Sequence, residues 1–337
     1  MGASTSGALT INAWAPPDKS GYMEQITKRR PFLIAPVDRV LYDGLEHVPV
    51  VGYQWDWLTD DLSPLAIPAG QAFETEPSYT TVLLRNRLNN AIKMFRKVWN
   101  VAEYTEIIAK NGGVAGQIMS EVARQIMLKM KELHREIERN IASLMTVQLE
   151  NAPGTAVAEM GGYFSQITTQ NATLGKPNTI TNFAVGAGQS LSNYLDSTTF
   201  ENMIVTLHTN GASSSLKFVT TPLMMAVIGR TFEGRVNTRE NIERSEKRIS
   251  NQVHFYAANV GGEVELEDDR SIGDCGLLYD EEQLSIGVAD DIRVFRSDPG
   301  SFQNLYGRIR CYITLVTGNP QASGGWTTTN TPAAAGN

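Results

Sequence analysis

The stretch "GQIMSEVARQIMLKMKELHREIERNIASLM", Gly116 to Met145, contains no proline and, after its first residue, no glycine. These are the two residues that interrupt helices, glycine through backbone freedom and proline through its missing N–H. Their absence over this length predicts one long helix. Its apolar residues Ile118, Val122, Ile126, Met130, Leu133, Ile137, Ile141 and Leu144 advance by steps of 4, 4, 4, 3, 4, 4 and 3. The mean step, ~3.7, is close to the 3.6 of a straight helix and longer than the 3.5 of a left-handed coiled coil. Such a helix is expected to lie along a sheet or a broad surface. At a rise of 1.5 Å per residue it would be about 45 Å long, against about 30 Å for the width of a small domain, so the protein should be elongated. Glu132 with Arg135, and Glu136 with Arg139, are spaced to pair on its exposed side. His134, beside the apolar row, is expected as a hydrogen-bonded and partly buried imidazole.

Upstream of the helix the period changes. Val51, Tyr53, Trp55 and Trp57 alternate with Gly52, Gln54 and Asp56, the pattern of a strand with an aromatic side. The following "LTDDLSPLAIPAGQAFETEPSYT" carries three prolines, a glycine and no basic residue, and reads as a long loop tip. On the return leg Val82, Leu84, Leu88, Ile92 and Met94 share one parity, while Arg85, Arg87, Lys93 and Lys97 share the other. Two strands around a polar tip make a long hairpin with an apolar and a basic side; a helix from about Leu83 competes, because the run lacks proline. The first thirty residues are polar, small and aperiodic, and read as an arm. A short helix is expected near Ala102 to Lys110, ended by Asn111-Gly-Gly113.

Downstream, residues 151–196 are rich in Gly, Thr, Asn and Gln and suggest an irregular connection with a short helix near Tyr163 to Thr168. A second compact region follows. It has helices at Thr198 to His208 and after Pro222, and strands at Leu216 to Val219, Val253 to Ala257 and Val260 to Glu267. In "RIRCYITLV" the residues Ile309, Cys311, Ile313 and Leu315 line one face of a strand whose other side is more polar. The closing "GNPQASGGWTTTNTPAAAGN" is of low complexity and is expected to be flexible.

At 337 residues with 42% hydrophobic side chains, the chain suits a folded protein of about two domains. Its longest apolar run is far short of the ~20 residues that span a bilayer. The N-terminus lacks the basic and apolar regions of a secretory signal. A formal charge of −7 argues against a general nucleic-acid binder. Charge is nevertheless uneven, with Lys28 to Arg30 and Arg85 to Lys97 basic and "EVELEDDR" from Glu263 acidic, and complementary blocks on one chain suit contacts between copies. Cys275 and Cys311 have neither disulfide nor metal spacing and are expected as two buried thiols.

No motif assembles a catalytic site. "LGKPN" at Leu174 lacks the upstream glycine and the Ser/Thr of a phosphate loop, and "GAGQS" at Gly186 lacks the third glycine of a dinucleotide fingerprint. His47, His134, His208 and His254 have no i,i+4 partner and advertise no zinc site. Glu263, Glu265 and Glu267 point one way from a strand, which allows a solvated edge, an intersubunit contact or a divalent-cation site. The aromatic side of the strand around Trp55 could stack bases, but without interleaved basic residues packing on something apolar is favoured.

The stretches "RRPFLIAP" (Arg29 to Pro36), "YQWDWLTDDL" (Tyr53 to Leu62), "VHFYAANVGGEVELEDDR" (Val253 to Arg270) and "ITLVTGNPQASGG" (Ile313 to Gly325) follow one another in the order arm, hairpin, long helix, mixed region, last strand. In this texture the chain resembles the major capsid proteins of tailed double-stranded-DNA bacteriophages, the Hong-Kong-97-type fold. The resemblance implies an α+β protein with an N-terminal arm (1–44), an extended loop lying over a neighbouring subunit (45–100), and a peripheral domain (101–195 and 291–318) with a spine helix at 116–148. An axial domain (196–290) and a flexible tail (319–337) complete it. It further implies a non-enzymatic structural protein, without cofactor, that assembles as pentamers and hexamers into an icosahedral virion head around double-stranded DNA held non-specifically. Such a protein is made in the bacterial host cytoplasm and has no membrane association. Too few residues precede the hairpin for a built-in scaffolding segment, so a separate scaffolding protein is expected, with a portal and a cement or decoration protein. The loop tip has no lysine for the covalent crosslink some members form. Intersubunit contacts are expected at Trp55, Asp56, Asp60, Asp61, Arg85, Arg87, Lys93, Glu263, Glu265 and Glu267. The alternatives are an encapsulin-like compartment and, from another class, a soluble α/β oligomeric enzyme.

Overall fold

The computed structural model describes residues 38–60, 85–111, 120–149, 157–183, 197–231, 236–238, 253–258, 262–297 and 304–328. In chain order these hold helix α1 (Val40–Gly44) and strands β1 (Glu46–Pro49), β2 (Gln54–Thr59), β3 (Asn86–Ala91) and β4 (Lys93–Ala102). Helices α2 (Glu103–Asn111), α3 (Glu121–Ile141) and α4 (Tyr163–Thr173) come next, then β5 (Ile180–Phe183), α5 (Ser197–Thr209), β6 (Leu216–Thr220) and α6 (Pro222–Thr231). The remainder is β7 (Val236–Thr238), β8 (Val253–Ala257), β9 (Glu263–Asp268), β10 (Gly276–Asp280), β11 (Leu284–Ser297), β12 (Asn304–Thr317), a 3-10 turn (Pro320–Ala322) and β13 (Gly324–Thr328).

The long helix exists but is shorter than expected: α3 has 21 residues, about 32 Å, and covers neither end of the 116–148 span. Ser120 starts it, its hydroxyl accepting from the Ala123 amide at 3.3 Å, while Glu106 of α2 accepts from the Val122 amide at 3.0 Å. Two of the first turn's unpaired amides are satisfied this way. At the other end the Ser143 hydroxyl bonds back to the Asn140 carbonyl and the chain leaves the helix axis. Gly116 to Met119 lie outside the described residues. Within the helix the periodic row is as read: Val122, Leu133, Ile137 and Ile141 are buried, with Ile126 and Met130 packed beside them, whereas Leu144 lies past the helix end and is exposed, and Ile118 lies outside the described residues. The charged pairs are not as read. Glu132 pairs with Lys129 and Glu136 with Lys97 of β4, rather than with Arg135 and Arg139. His134 is buried against the Tyr42 ring, and burial holds its pKa below the ordinary imidazole value.

This helix lies across a four-stranded sheet of order β1-β11-β12-β4, in which β11, β12 and β4 run antiparallel and β1 joins β11 in parallel. Ile309, Cys311, Ile313 and Leu315 of β12 face it and are fully buried, with Phe95, Trp99 and Val101 of β4 alongside. Cys275 and Cys311 are both buried free thiols, and burial pushes their pKa values up.

The hairpin is β2 paired with β3, a two-stranded sheet of its own. The return leg is not one continuous strand. Ala91 and Ile92 are consecutive and both buried, so the alternation slips by one residue between β3 and β4 and every later side chain changes face. Met94 therefore points away from the core, and Lys93 and Lys97 point towards the helix layer. Val51 and Tyr53 precede β2 and are 81% and 88% exposed, so the expected aromatic face begins only at Trp55.

A seven-stranded mixed sheet, β5-β13-β10-β6-β9-β8-β7, builds the second layer. Phe200 of α5 packs edge-on against Phe218, Tyr256 and Trp326. Here the expected flexible tail is corrected over its described part, because β13 lies between β5 and β10 and Trp326 is fully buried. Its small residues are what the packing requires. A Cβ on Gly276 would stand 2.5 Å from the Trp326 ring, and Gly325 adopts φ 137°, a left-handed backbone open to glycine. Residues 329–337 lie outside the described residues, as does the arm up to residue 37. The sheets also divide the chain differently from the expected segments: β1 and β4 belong to the four-stranded sheet rather than to the hairpin, β11 joins that sheet from Leu284, and β5 joins the seven-stranded one.

Candidate assembly surfaces

The hairpin is fastened at its base and paired by charge along its length. The Trp57 indole N–H donates to the Thr317 carbonyl at 2.9 Å. Asn90, fully buried, donates to the carbonyls of Leu315 at 2.8 Å and Gly161 at 3.3 Å and accepts from the Gly161 amide at 2.9 Å. Beyond this anchor Arg87 pairs with Asp56, and Arg85 with Asp60 at 3.2 Å, both across the two strands. The Arg85 pair is 68% exposed on each side, so it is held loosely and is free to exchange partners. Trp55 is half-buried beside Asp56. Lys93 is placed elsewhere, pairing with Glu159 under the sheet edge. Asp61 lies outside the described residues.

The three glutamates of β9 do share a face, but β9 is an interior strand between β6 and β8, not a solvated edge. Lys217 of β6 reaches Glu281 at 2.6 Å and Glu265 at 3.4 Å. Burial raises the pKa of Glu267, with Lys217 opposing. Glu263 is exposed. Among the described residues, no group of three or more His, Cys, Asp or Glu side chains could hold a metal ion.

A further surface was not singled out from sequence. On the face of the four-stranded sheet opposite α3, Arg293 of β11, Arg310 of β12 and Arg96 of β4 stand directly across from one another, and Arg308 lies one pair further along. Like charges on directly opposed strand residues destabilise a sheet. Arg293 is relieved by Asp290 at 2.9 Å. Among the described residues Arg96, Arg308 and Arg310 have no carboxylate within ion-pair distance, and the Arg310 Nε is buried without an acceptor. Arg310 stacks 4.4 Å over the Phe295 ring and Arg308 5.6 Å from it. Val98, 59% exposed, and Met94 lie on the same face. The surface is basic, aromatic and apolar together, suited to an anionic polypeptide more than to bare phosphate. The signal was present in "RIRCYITLV", whose outward positions are Arg308, Arg310 and Tyr312.

The structure thus presents a four-stranded sheet covered by the long helix, a seven-stranded sheet, a hairpin pinned at its root, and a sheet face on which, among the described residues, three arginines lack a carboxylate partner. The class is that of the Hong-Kong-97-type capsid folds. The fold is shared with the capsid structure of the cyanophage P-SCSP1u (TM-score 0.56, 8% identity, covering 97% of this chain and 100% of that one). It is shared too with the capsid of a native GTA particle (0.54, 13%, 99% and 100%) and with a chain of Mycobacterium phage Bobi (0.54, 10%, 92% and 98%). No curated protein sequence matches the chain. The model of the SU10 major capsid protein family matches residues 24–330, and the chain belongs to that family: it is a capsid-forming structural protein of phage virions.

Proposed function

We propose that the chain assembles as pentamers and hexamers into the icosahedral head of a tailed phage, enclosing double-stranded DNA. The observation that carries this is the match to a major capsid family over residues 24–330. Within the shell the β2–β3 hairpin lies over a neighbouring subunit, with Trp55, Asp56, Asp60, Arg85 and Arg87 exchanging their partners for residues of that neighbour. The arginine face at Arg96, Arg308 and Arg310 receives carboxylates and apolar side chains from another copy. The hairpin tip suits that role, since residues 58–80 hold Asp60, Asp61, Glu74 and Glu76, several large apolar side chains and no basic residue. Glu263 and Glu265 contribute an acidic counterpart on the seven-stranded side. A net charge of −7 favours loose, non-specific confinement of DNA over gripping it. A separate scaffolding protein, a portal and a cement protein are the further partners of such a head, and the subunit is made in the host cytoplasm before assembly. The work of the chain is structural, with contacts that are individually weak and collectively strong because each copy makes many. Expression of the full chain followed by size-exclusion chromatography and negative-stain microscopy tests this: closed particles are expected, and a small oligomer of fixed size would refute it.

A further inference from the structure

Where the arm enters the fold, three carboxylates meet. Glu138 of α3 is fully buried and accepts from the amides of Leu41 at 3.3 Å and Tyr42 at 2.9 Å, in the first turn of α1. Facing it is Asp269, fully buried on the loop that leaves β9, whose Oδ1 accepts from the Ser271 amide at 2.6 Å. The Asp269 Oδ2 is buried without a donor if both acids are ionised. A proton on Glu138 makes it a donor to Asp269 and removes the conflict between two buried negative charges. Beside them Arg270 holds Asp38 through its Nε at 2.7 Å, its Nη2 at 2.8 Å and its backbone amide at 3.1 Å.

We propose that Glu138 and Asp269 form a proton-held latch, which fastens the axial loop at 268–271 to the long helix and the arm-junction helix α1 and opens when one proton is lost. The inference does not depend on the assembly reading above. Burial, and next to it the Asp269 charge, push Glu138 up to about 8, against the opposing pull of the two α1 amides; burial also raises Asp269. The other groups facing the pair do not supply a compensating cation. Tyr279 of β10 stays protonated because burial raises it, and His134, one turn back on α3, is held low by burial and faces Arg39 and Asp43. Arg270 is committed to Asp38, whose pKa it lowers.

The same contacts decide which side moves. The Leu41 and Tyr42 amides favour an ionised Glu138, so α1 stays on the helix when the proton leaves for solvent. Asp269 and its loop are the part repelled. Among the described residues the Asp38–Arg270 pair, whose arginine is exposed, then ties the loop to the arm junction, and salt screens such pairs. Because the closed form holds its proton more tightly than an ordinary carboxyl, closure is complete below the usual carboxylate range and is lost as pH rises towards about 8.

Hydrogen exchange of the purified full chain between pH 6 and 9, corrected for intrinsic exchange rates, tests the latch. Protection of the amides at 268–272 should fall by up to about tenfold per pH unit and level off above the transition, while α3 stays constant. Glu138→Gln does not titrate; its NH2 group donates to Asp269 while its single oxygen accepts from one of the two α1 amides, so its protection should be flat with pH. Asp269→Asn removes the repulsion from the other side and should flatten the profile as well, which decides the matter if the first variant does not fold. A flat profile in the unaltered chain, or an unchanged slope in the variants, would overturn the proposal.

Discussion

The Trp57 indole N–H donates to the Thr317 carbonyl across 260 positions of sequence, so the root of the projecting hairpin is bonded to the end of the last long strand. Trp57→Phe keeps an aromatic side chain but removes the indole donor and some ring area, and the lost hydrogen bond alone should cost about 1 kcal/mol in urea unfolding. Asn90→Leu should cost more, about 3 kcal/mol, because it leaves the Gly161 amide and two buried carbonyls without partners. Shell yield should follow the same order. Equal stability of the two variants would mean that the root is not fastened where these bonds are.

The hairpin and the end of the chain differ in how much of each the sequence discloses. Amphipathic periods disclose the buried row of α3 and the inward face of β12, and the sequence also places helices near α2, α5 and α6. Two features lay beyond that signal. The parity slip at Ala91 and Ile92 is one extra inward residue, invisible to a count of apolar positions, and it separates Lys93 from the arginines it seemed to accompany. The strand β13 is built from residues that resemble a linker, because its partner Gly276 leaves a slot that only a small-residue strand bearing one tryptophan fills. The arginine row needs three strands in register and so exists only in the fold.

Truncation before Gly324 should therefore destabilise the seven-stranded layer rather than trim a tail. Trp326→Ala alone should cost roughly 3–5 kcal/mol, the range for a fully buried large aromatic. Thermal unfolding of both variants gives the comparison, and a melting temperature unchanged by truncation would refute the ordered strand.

Charge reversal on the outward sheet face should act in opposite directions on folding and on assembly. Arg310→Glu places an acid between Arg293 and Arg96 and relieves like-charge crowding, so the isolated chain should unfold at equal or higher urea. Arg308→Glu with Arg310→Glu should nevertheless abolish closed particles. A double variant that assembles normally would remove this face from the contacts.

Arg85→Glu with Arg87→Glu should leave folding stability nearly unchanged, since both side chains are exposed and their partners lie within the same hairpin. The expected effect is on particle yield, read by sedimentation against the unaltered chain. Normal yield would show that these arginines serve the hairpin alone.

The most direct test of the central claim is negative-stain microscopy of the purified full chain, with particle mass measured on the same sample. A shell-forming tile predicts closed particles of at least tens of subunits, which disappear in the Arg308→Glu, Arg310→Glu variant. A uniform population of dimers to hexamers under every assembly condition would contradict it.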